Sequence, residues 1–271
     1  MSGKKDIEIN LKPFNMKKVP RESIIVLLGK RNTGKSVLVK DILYHKRDIP
    51  VGTVISHTDN LTHFYDKFIP GMFIHKKYSP EILTKIFDRQ QKAIDKNWRN
   101  PNAFLLFDDC LSDSSSWSKD ESIKEIFFNG RHFKILYILT MQSPMGLPPA
   151  MRTNIDYTFI LKNNNFSDRE KIYKNYAGMF PSMAFFEKVL DACTSDYNCL
   201  VIDNTSQSNK LEDQVFYYRG ELHDDPKFKM CSPEIWATNN SMYTSTSRSA
   251  YTSSVSTHKG TKFTINKKPK K

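Results

Sequence analysis

A chain of 271 residues with 39% apolar and 12% aromatic residues can bury one large core, which excludes disorder throughout. No apolar run approaches the ~20 residues of a bilayer span, residues 1–10 are too polar for a secretory signal, and Cys110, Cys193, Cys199 and Cys231 show neither zinc nor disulfide spacing. The 41 Lys and Arg against 29 Asp and Glu give +12, the sign expected of a protein with a polyanionic partner such as nucleic acid.

In chain order, residues 1–22 read as a short arm with six basic and three acidic residues. Residues 23–28, Ser23-Ile24-Ile25-Val26-Leu27-Leu28, form a continuous apolar run that stops at Gly29. Such a run predicts a strand buried on both faces, as in a parallel sheet. Val37, Leu38, Ile42 and Leu43 then predict a helix over 36–44, and 51–56 a second strand. Ser79-Pro80-Glu81 ahead of Ile82, Leu83, Ile86 and Phe87 predicts an N-capped helix with Pro in its first turn. Strands are expected at 103–107, 134–140 and 157–161, with a helix over 121–129. The alternation predicts an α/β fold with a mostly parallel central sheet flanked by helices. Beyond Asn163, residues 168–176 and 181–190 read as helices, and 198–202 and 214–218 as extra strands at a sheet edge near the C-terminus. From about Thr238, Ser, Thr and Asn dominate, and the chain ends Lys267-Lys268-Pro269-Lys270-Lys271. Residues 237–271 read as a disordered Ser/Thr/Lys-rich tail with seven basic residues and no acid. Residues 23–236 keep 28 basic against 26 acidic residues, so the charge sits mainly at the two ends and salt-sensitive affinity for a polyanion is expected in the tail.

The strongest chemical signal is Gly29-Lys30-Arg31-Asn32-Thr33-Gly34-Lys35-Ser36, which fits Gly-x-x-x-x-Gly-Lys-Ser/Thr, the P-loop. Glycines let the backbone wrap a phosphate chain, and successive N–H groups with the next helix N-terminus face the anion. Lys35 supplies a point charge to the terminal phosphates of ATP, and the Ser36 hydroxyl is a ligand for Mg²⁺. Residues 23–236 are therefore expected to form one P-loop ATPase domain.

Ala103-Phe104-Leu105-Leu106-Phe107-Asp108-Asp109 describes a Walker B strand. Asp108 at its tip is the second expected holder of Mg²⁺, and Asp109 is a carboxylate placed to act as base or to position water. The strand ending Leu139-Thr140-Met141-Gln142 brings polar groups to the same region, where the Gln142 amide, both donor and acceptor, suits orientation of an attacking water. Arg131 and Arg152 flank that strand and are candidates for a cation inserted at a neighbouring subunit's γ-phosphate; a surface arginine or salt-bridge partner is the other reading of each. His57, His63 and His75 lack metal spacing, and no Asn-Lys-x-Asp motif for guanine is present. Residues 112–119, around Trp117, read as an exposed loop, with a DNA-facing loop as the second reading.

These residues resemble the A32-like genome-packaging ATPases of nucleocytoplasmic large DNA viruses, within the FtsK–HerA group of P-loop ATPases. The resemblance rests on Gly29 to Ser36, Phe104 to Asp109, Gly130-Arg131-His132, Leu139 to Gln142 and Pro148 to Asn154, and covers about residues 20–220. Many members of the wider group carry Glu where this chain has Asp109, and a shorter carboxylate must sit closer to its water. The resemblance implies a homo-oligomeric ring, a hexamer or pentamer, that hydrolyses ATP to drive double-stranded DNA into a capsid. It further implies portal or vertex proteins as partners and a place in the host cytoplasm, at the viral factory, and in the virion. Three other readings share the P-loop: a nucleotide kinase, which would need an acceptor pocket and lid arginines, a cellular FtsK/HerA-like translocase, and a nucleotide site without catalysis.

Overall fold

The computed structural model describes residues 9–110 and 120–242. The expected loop at 112–119 and the part of the expected tail beyond residue 242 lie outside them. The chain begins with β1 (Lys12–Pro13), β2 (Ile24–Leu28), α1 (Lys35–His45), β3 (Val51–Ser56), the short α2 (Asp59–Thr62), β4 (Ile74–His75) and α3 (Pro80–Asp95). It continues through β5 (Ala103–Asp108), α4 (Glu121–Asn129), β6 (Ile135–Met141), the short α5 (Pro149–Arg152), β7 (Tyr157–Ile160), α6 (Phe166–Tyr176) and α7 (Met183–Cys193). It closes with β8 (Asn198–Asp203), β9 (Val215–Arg219) and α8 (Pro233–Met242).

The strands form one nine-stranded sheet in the order β1-β9-β8-β7-β2-β6-β5-β3-β4. Strands β7, β2, β6, β5, β3 and β4 run parallel. β8 is antiparallel to both its neighbours, because two helices rather than one separate it from β7. The added strands lie on the β7 side as expected, but β9 is not the outermost: β1 pairs with it.

Alternation along each central strand divides its side chains between two cores. Ile24, Val26 and Leu28 of β2, with Tyr137, Leu139 and Met141 of β6, pack under α3, α4, α5, α6 and α7. Ile25 and Leu27, with Leu136 and Ile138, pack under α1 and the segment around Tyr65, Phe68 and Ile69. Both faces of β2, β5 and β6 are therefore dry, as their unbroken apolar runs require.

Two expectations about the ends are corrected. Residues 9–22 are part of the body rather than a free arm: β1 pairs with β9, Met16 and Val19 are buried, and Phe14 meets Tyr157, Phe159 and Phe216 edge-on. Apolar residues spaced among the lysines carry this packing. At the other end α8 runs through the expected boundary at 236/237, so 237–242 is helical. Ser232-Pro233-Glu234 repeats the start signal of Ser79-Pro80-Glu81, and α8 is anchored where Asn239 Oδ1 accepts the Met72 N–H at 3.1 Å and Trp236 Nε1 donates to Met230 O at 2.7 Å.

α1 is held at its far end by a polar clasp. Asp41, completely buried, accepts the Tyr218 hydroxyl at 2.6 Å and faces His223 Nε2 at 2.5 Å, with His45 Nε2 at 3.5 Å; Tyr44 stacks on His223 with ring centroids 3.7 Å apart. Replacing Asp41 by Ala strands these groups in the interior, and breaking such a buried pair costs about 3 kcal/mol or more. Urea unfolding of Asp41→Ala is expected to show that loss, and Asp41→Asn, which keeps the shape, a smaller one.

Candidate functional site

Because β2, β6 and β5 are parallel and adjacent, their carboxyl ends reach one edge of the sheet together. The loop 29–34 leaves β2 there, with the Gly29 N–H bonded to Met141 O at 3.0 Å. A Cβ on Gly29 would lie 2.7 Å from Thr33 Oγ1 and 3.0 Å from Leu161 Cβ, so the loop is closed too tightly for a side chain at that point. Gly34 has φ +98°, a conformation other residues rarely adopt, and it turns the chain directly into α1. The Thr33 hydroxyl ties across to Lys30 O at 2.8 Å. Inside the loop the Lys35 ammonium donates to Gly29 O at 2.6 Å and to Lys30 O at 2.9 Å. One of its three N–H groups remains for an incoming acceptor. Burial lowers the Lys35 pKa, while Asp109 and Asp108 oppose that shift. Ser36 is exposed in the first turn of α1, and Lys30 pairs with Asp168 of α6 at 2.5 Å.

Asp108 closes β5 and is buried. Its Oδ1 accepts the Thr140 hydroxyl at 2.8 Å, and Ser56 Oγ, in register on β3, lies 3.5 Å from Oδ2. The buried Tyr65 hydroxyl sits beside the same carboxylate without a well-formed bond. Burial raises the Asp108 pKa, against the bond from Thr140 and the nearby Tyr65 hydroxyl, which lower it. Asp109 comes next at φ +48°, in the left-handed region that a non-glycine residue occupies only when its surroundings hold it there. Two groups of β6 and its tip do so: Thr140 Oγ1 accepts the Asp109 N–H at 3.0 Å, and Gln142 Nε2 donates to Asp109 Oδ2. Lys35, Asp108, Asp109 and Gln142 are thus gathered at one edge.

The two arginines lie elsewhere. Arg131, in the turn before β6, pairs with Asp156 Oδ1 at 2.6 Å, and Asp156 Oδ2 holds the Ile24 N–H at 2.8 Å. Ile24 opens β2, so Arg131 stands at the opposite edge of the sheet from the loop, with 67% of its side chain exposed. Arg152 donates to Leu147 O and lies over the Tyr176 ring, 5.9 Å from its centroid. It lines a cleft of about 440 Å³ with Lys174, Asn175 and Asn204. The groups that hold the two guanidinium ions are thus Asp156, Leu147 and Tyr176, rather than Asp108 or Asp109 of the same chain.

Ser56 and Tyr65, which the sequence did not single out, complete the surroundings of Asp108. Ser56 was legible as the polar last residue of the neighbouring apolar strand; Tyr65 carries no local signal, since it reaches the site from the segment after α2. Among the described residues, Asp41, His45 and His223 lie close enough to share a cation, but they already bond to one another at the far end of α1.

The donor set at the edge fits a hydrated divalent cation: a buried carboxylate, an exposed hydroxyl in the helix's first turn, and an orphaned buried tyrosine hydroxyl beside the carboxylate.

No protein-family model matches the chain. Uncharacterized protein L437 of Acanthamoeba polyphaga mimivirus is 42% identical over 236 residues, spanning 84% of this chain and 82% of that protein. Uncharacterized protein 075L of Invertebrate iridescent virus 6 is 40% identical over 238 residues, spanning 82% and 90%. Among solved structures, the genome packaging NTPase B204 of Sulfolobus turreted icosahedral virus 2, in complex with ATP-gammaS, superposes with TM-score 0.55 at 17% identity, covering 75% of this chain and all of that one. The fold is therefore that of the P-loop ATPases, a mostly parallel sheet flanked by helices. No helix among the described residues is long and apolar enough to cross a membrane.

Because burial raises the Asp108 pKa, the folded chain binds this proton more tightly than the unfolded one. Stability therefore falls as pH rises from the ordinary carboxylate range through the raised value. Asp108→Asn removes that cost. Thermal melts are expected to place the variant above the wild type at neutral pH, with the gap closing as the solution is acidified.

Proposed function

The chain belongs to the family of viral proteins that includes L437 of Acanthamoeba polyphaga mimivirus and 075L of Invertebrate iridescent virus 6, and we propose that it is an ATP-hydrolysing motor that drives double-stranded viral DNA into a capsid. The observation that carries the hydrolytic part is Asp109, held at positive φ by Thr140 and Gln142 beside a glycine-bounded loop containing Lys35. A second acid fixed by Gln142 next to Asp108 and Lys35 is the arrangement that water activation calls for, and it supports hydrolysis over binding alone. The DNA-moving part draws on the likeness to B204, a genome packaging NTPase.

In this reading the loop amides of residues 29–36 and Lys35 bind the phosphates of ATP. Ser36 and Asp108 hold Mg²⁺, which neutralises developing charge on the phosphates when bound. Asp109 takes a proton from the attacking water as its oxygen bonds to the γ-phosphorus, and the bond to the bridging oxygen breaks to leave ADP and phosphate. Gln142 keeps the carboxylate and the water in line. In the same reading Arg131 or Arg152, whose own-chain partners are Asp156 and Leu147 rather than Asp108 or Asp109, serves a neighbouring subunit in a homo-oligomeric ring; Arg131 is the more exposed of the two. The ring works in the infected cytoplasm, with capsid vertex proteins as partners.

Steady-state phosphate release with and without double-stranded DNA tests this. The wild type is expected to turn over ATP faster with DNA, and Lys35→Ala to lose turnover by about 100-fold or more. Equal turnover by Lys35→Ala contradicts the site, and transfer of phosphate to a nucleoside monophosphate instead of water contradicts the motor. Mixing Arg131→Ala with Asp109→Asn subunits is expected to restore part of the activity if the arginine acts across the interface.

A further inference from the structure

Beside the loop, on the side away from the acids' strand β5, lies a cleft of about 650 Å³. Its walls come from three segments: Asn32 and Thr33 of the loop, Asn163 and Asn165 of the β7–α6 turn, and Asp196 and Tyr197 of the α7–β8 turn. A volume of this size is ordinary for a small-molecule site. The loop is tied to its neighbours, since Lys30 pairs with Asp168 of α6 and Leu161 packs against both the Gly29 and Gly34 positions.

The α7–β8 turn has an unusual build. Asp196 and Tyr197 occupy the left-handed region in succession, with φ +50° and +61°. An aromatic residue there is strained, and asparagine or glycine would suit the turn better. The strain sets the Tyr197 ring beside the loop, 3.8 Å from where a Cβ on Gly34 would lie. Yet the residue is 74% exposed and has no ring or hydrogen-bond partner among the described residues. A large aromatic face left mostly exposed beside the loop is a stacking surface for a planar ligand. The turn opposite supplies polar edges: Asn163 Oδ1 is used by the Asn165 N–H at 2.9 Å and Asn165 Oδ1 by the Asp168 N–H at 3.0 Å, which leaves both side-chain NH₂ groups as donors. Asp196 adds an acceptor for hydroxyl or amine groups.

We propose that this cleft is the nucleoside site, in which Tyr197 stacks on the purine base while the phosphate chain runs into the loop 29–36. The proposal rests on the nucleotide-binding reading of that loop and names what sits next to it. Stacking recognises any broad π-face, so purine triphosphates bind more tightly than pyrimidine ones.

Binding of ATP and of inorganic tripolyphosphate to the full chain, measured by calorimetry with Mg²⁺, separates the base from the phosphates. The wild type is expected to bind ATP at least about tenfold more tightly than tripolyphosphate. Tyr197→Asn, which keeps the left-handed turn without a ring, loses about tenfold for ATP and nothing for tripolyphosphate. Tyr197→Phe retains both affinities. Unchanged ATP affinity in Tyr197→Asn overturns the proposal, as does an equal loss for both ligands, which would place the effect on the loop. If the wild type binds tripolyphosphate as tightly as ATP, the base site falls while the phosphate loop stands. If it binds neither, the loop reading itself falls and takes the base site with it.

Discussion

One hydroxyl joins the parts of the candidate site. Thr140 Oγ1 accepts the backbone N–H of Asp109 and gives its own proton to the Asp108 carboxylate, at 3.0 and 2.8 Å. A valine in its place would fill nearly the same volume but remove one hold on each acid, leaving Gln142 on Asp109 and Ser56 beside Asp108. Thr140 is in position because β5 and β6 pair in parallel with Asp108 opposite Thr140, and that register is set by the apolar residues behind it. A slip of β5 by one residue would turn Leu105 and Phe107 away from Tyr137 and Leu139 and mix the two cores. The packing of the interior thus fixes which polar groups meet at the edge.

The edge is the costly part of the molecule. Asp108 is a buried carboxylate, Lys35 is a half-buried ammonium, and Asn32, Asp109, Asp196 and Tyr197 all sit at positive φ around the loop and its cleft. Strain of this kind persists only where the surroundings over-determine it. Here the surroundings are a sheet whose β2, β5 and β6 are dry on both faces, and α1, whose far end is clasped by Asp41, Tyr218 and His223. The clasp at one end of α1 and the glycine-bounded loop at the other are two ends of the same helix.

The central sheet was legible because its strands are continuous apolar runs closed by single polar residues, a pattern no surface strand needs. Gly29 to Ser36, Asp108 and Gln142 stand where those runs end, which is why they were readable too. Strand β4, only two residues long, has no period to detect, and β1 hides among lysines at a sheet edge. α8 was obscured because its second half and the residues beyond it are rich in Ser, Thr and Asn, although Ser232-Pro233-Glu234 announces its start. The pairing of Arg131 with Asp156 and the placement of Tyr65 and Tyr197 depend on contacts between distant segments, and local sequence carries no trace of them.

In the proposed reading Asp109 is the group that activates water. Single-turnover hydrolysis of bound ATP by Asp109→Asn tests it most directly, since asparagine keeps the bond to Gln142 within reach and the tolerance for positive φ but cannot take a proton. Nucleotide affinity close to wild type is expected, with hydrolysis slowed about 100-fold or more. Hydrolysis at the wild-type rate in that variant would contradict it.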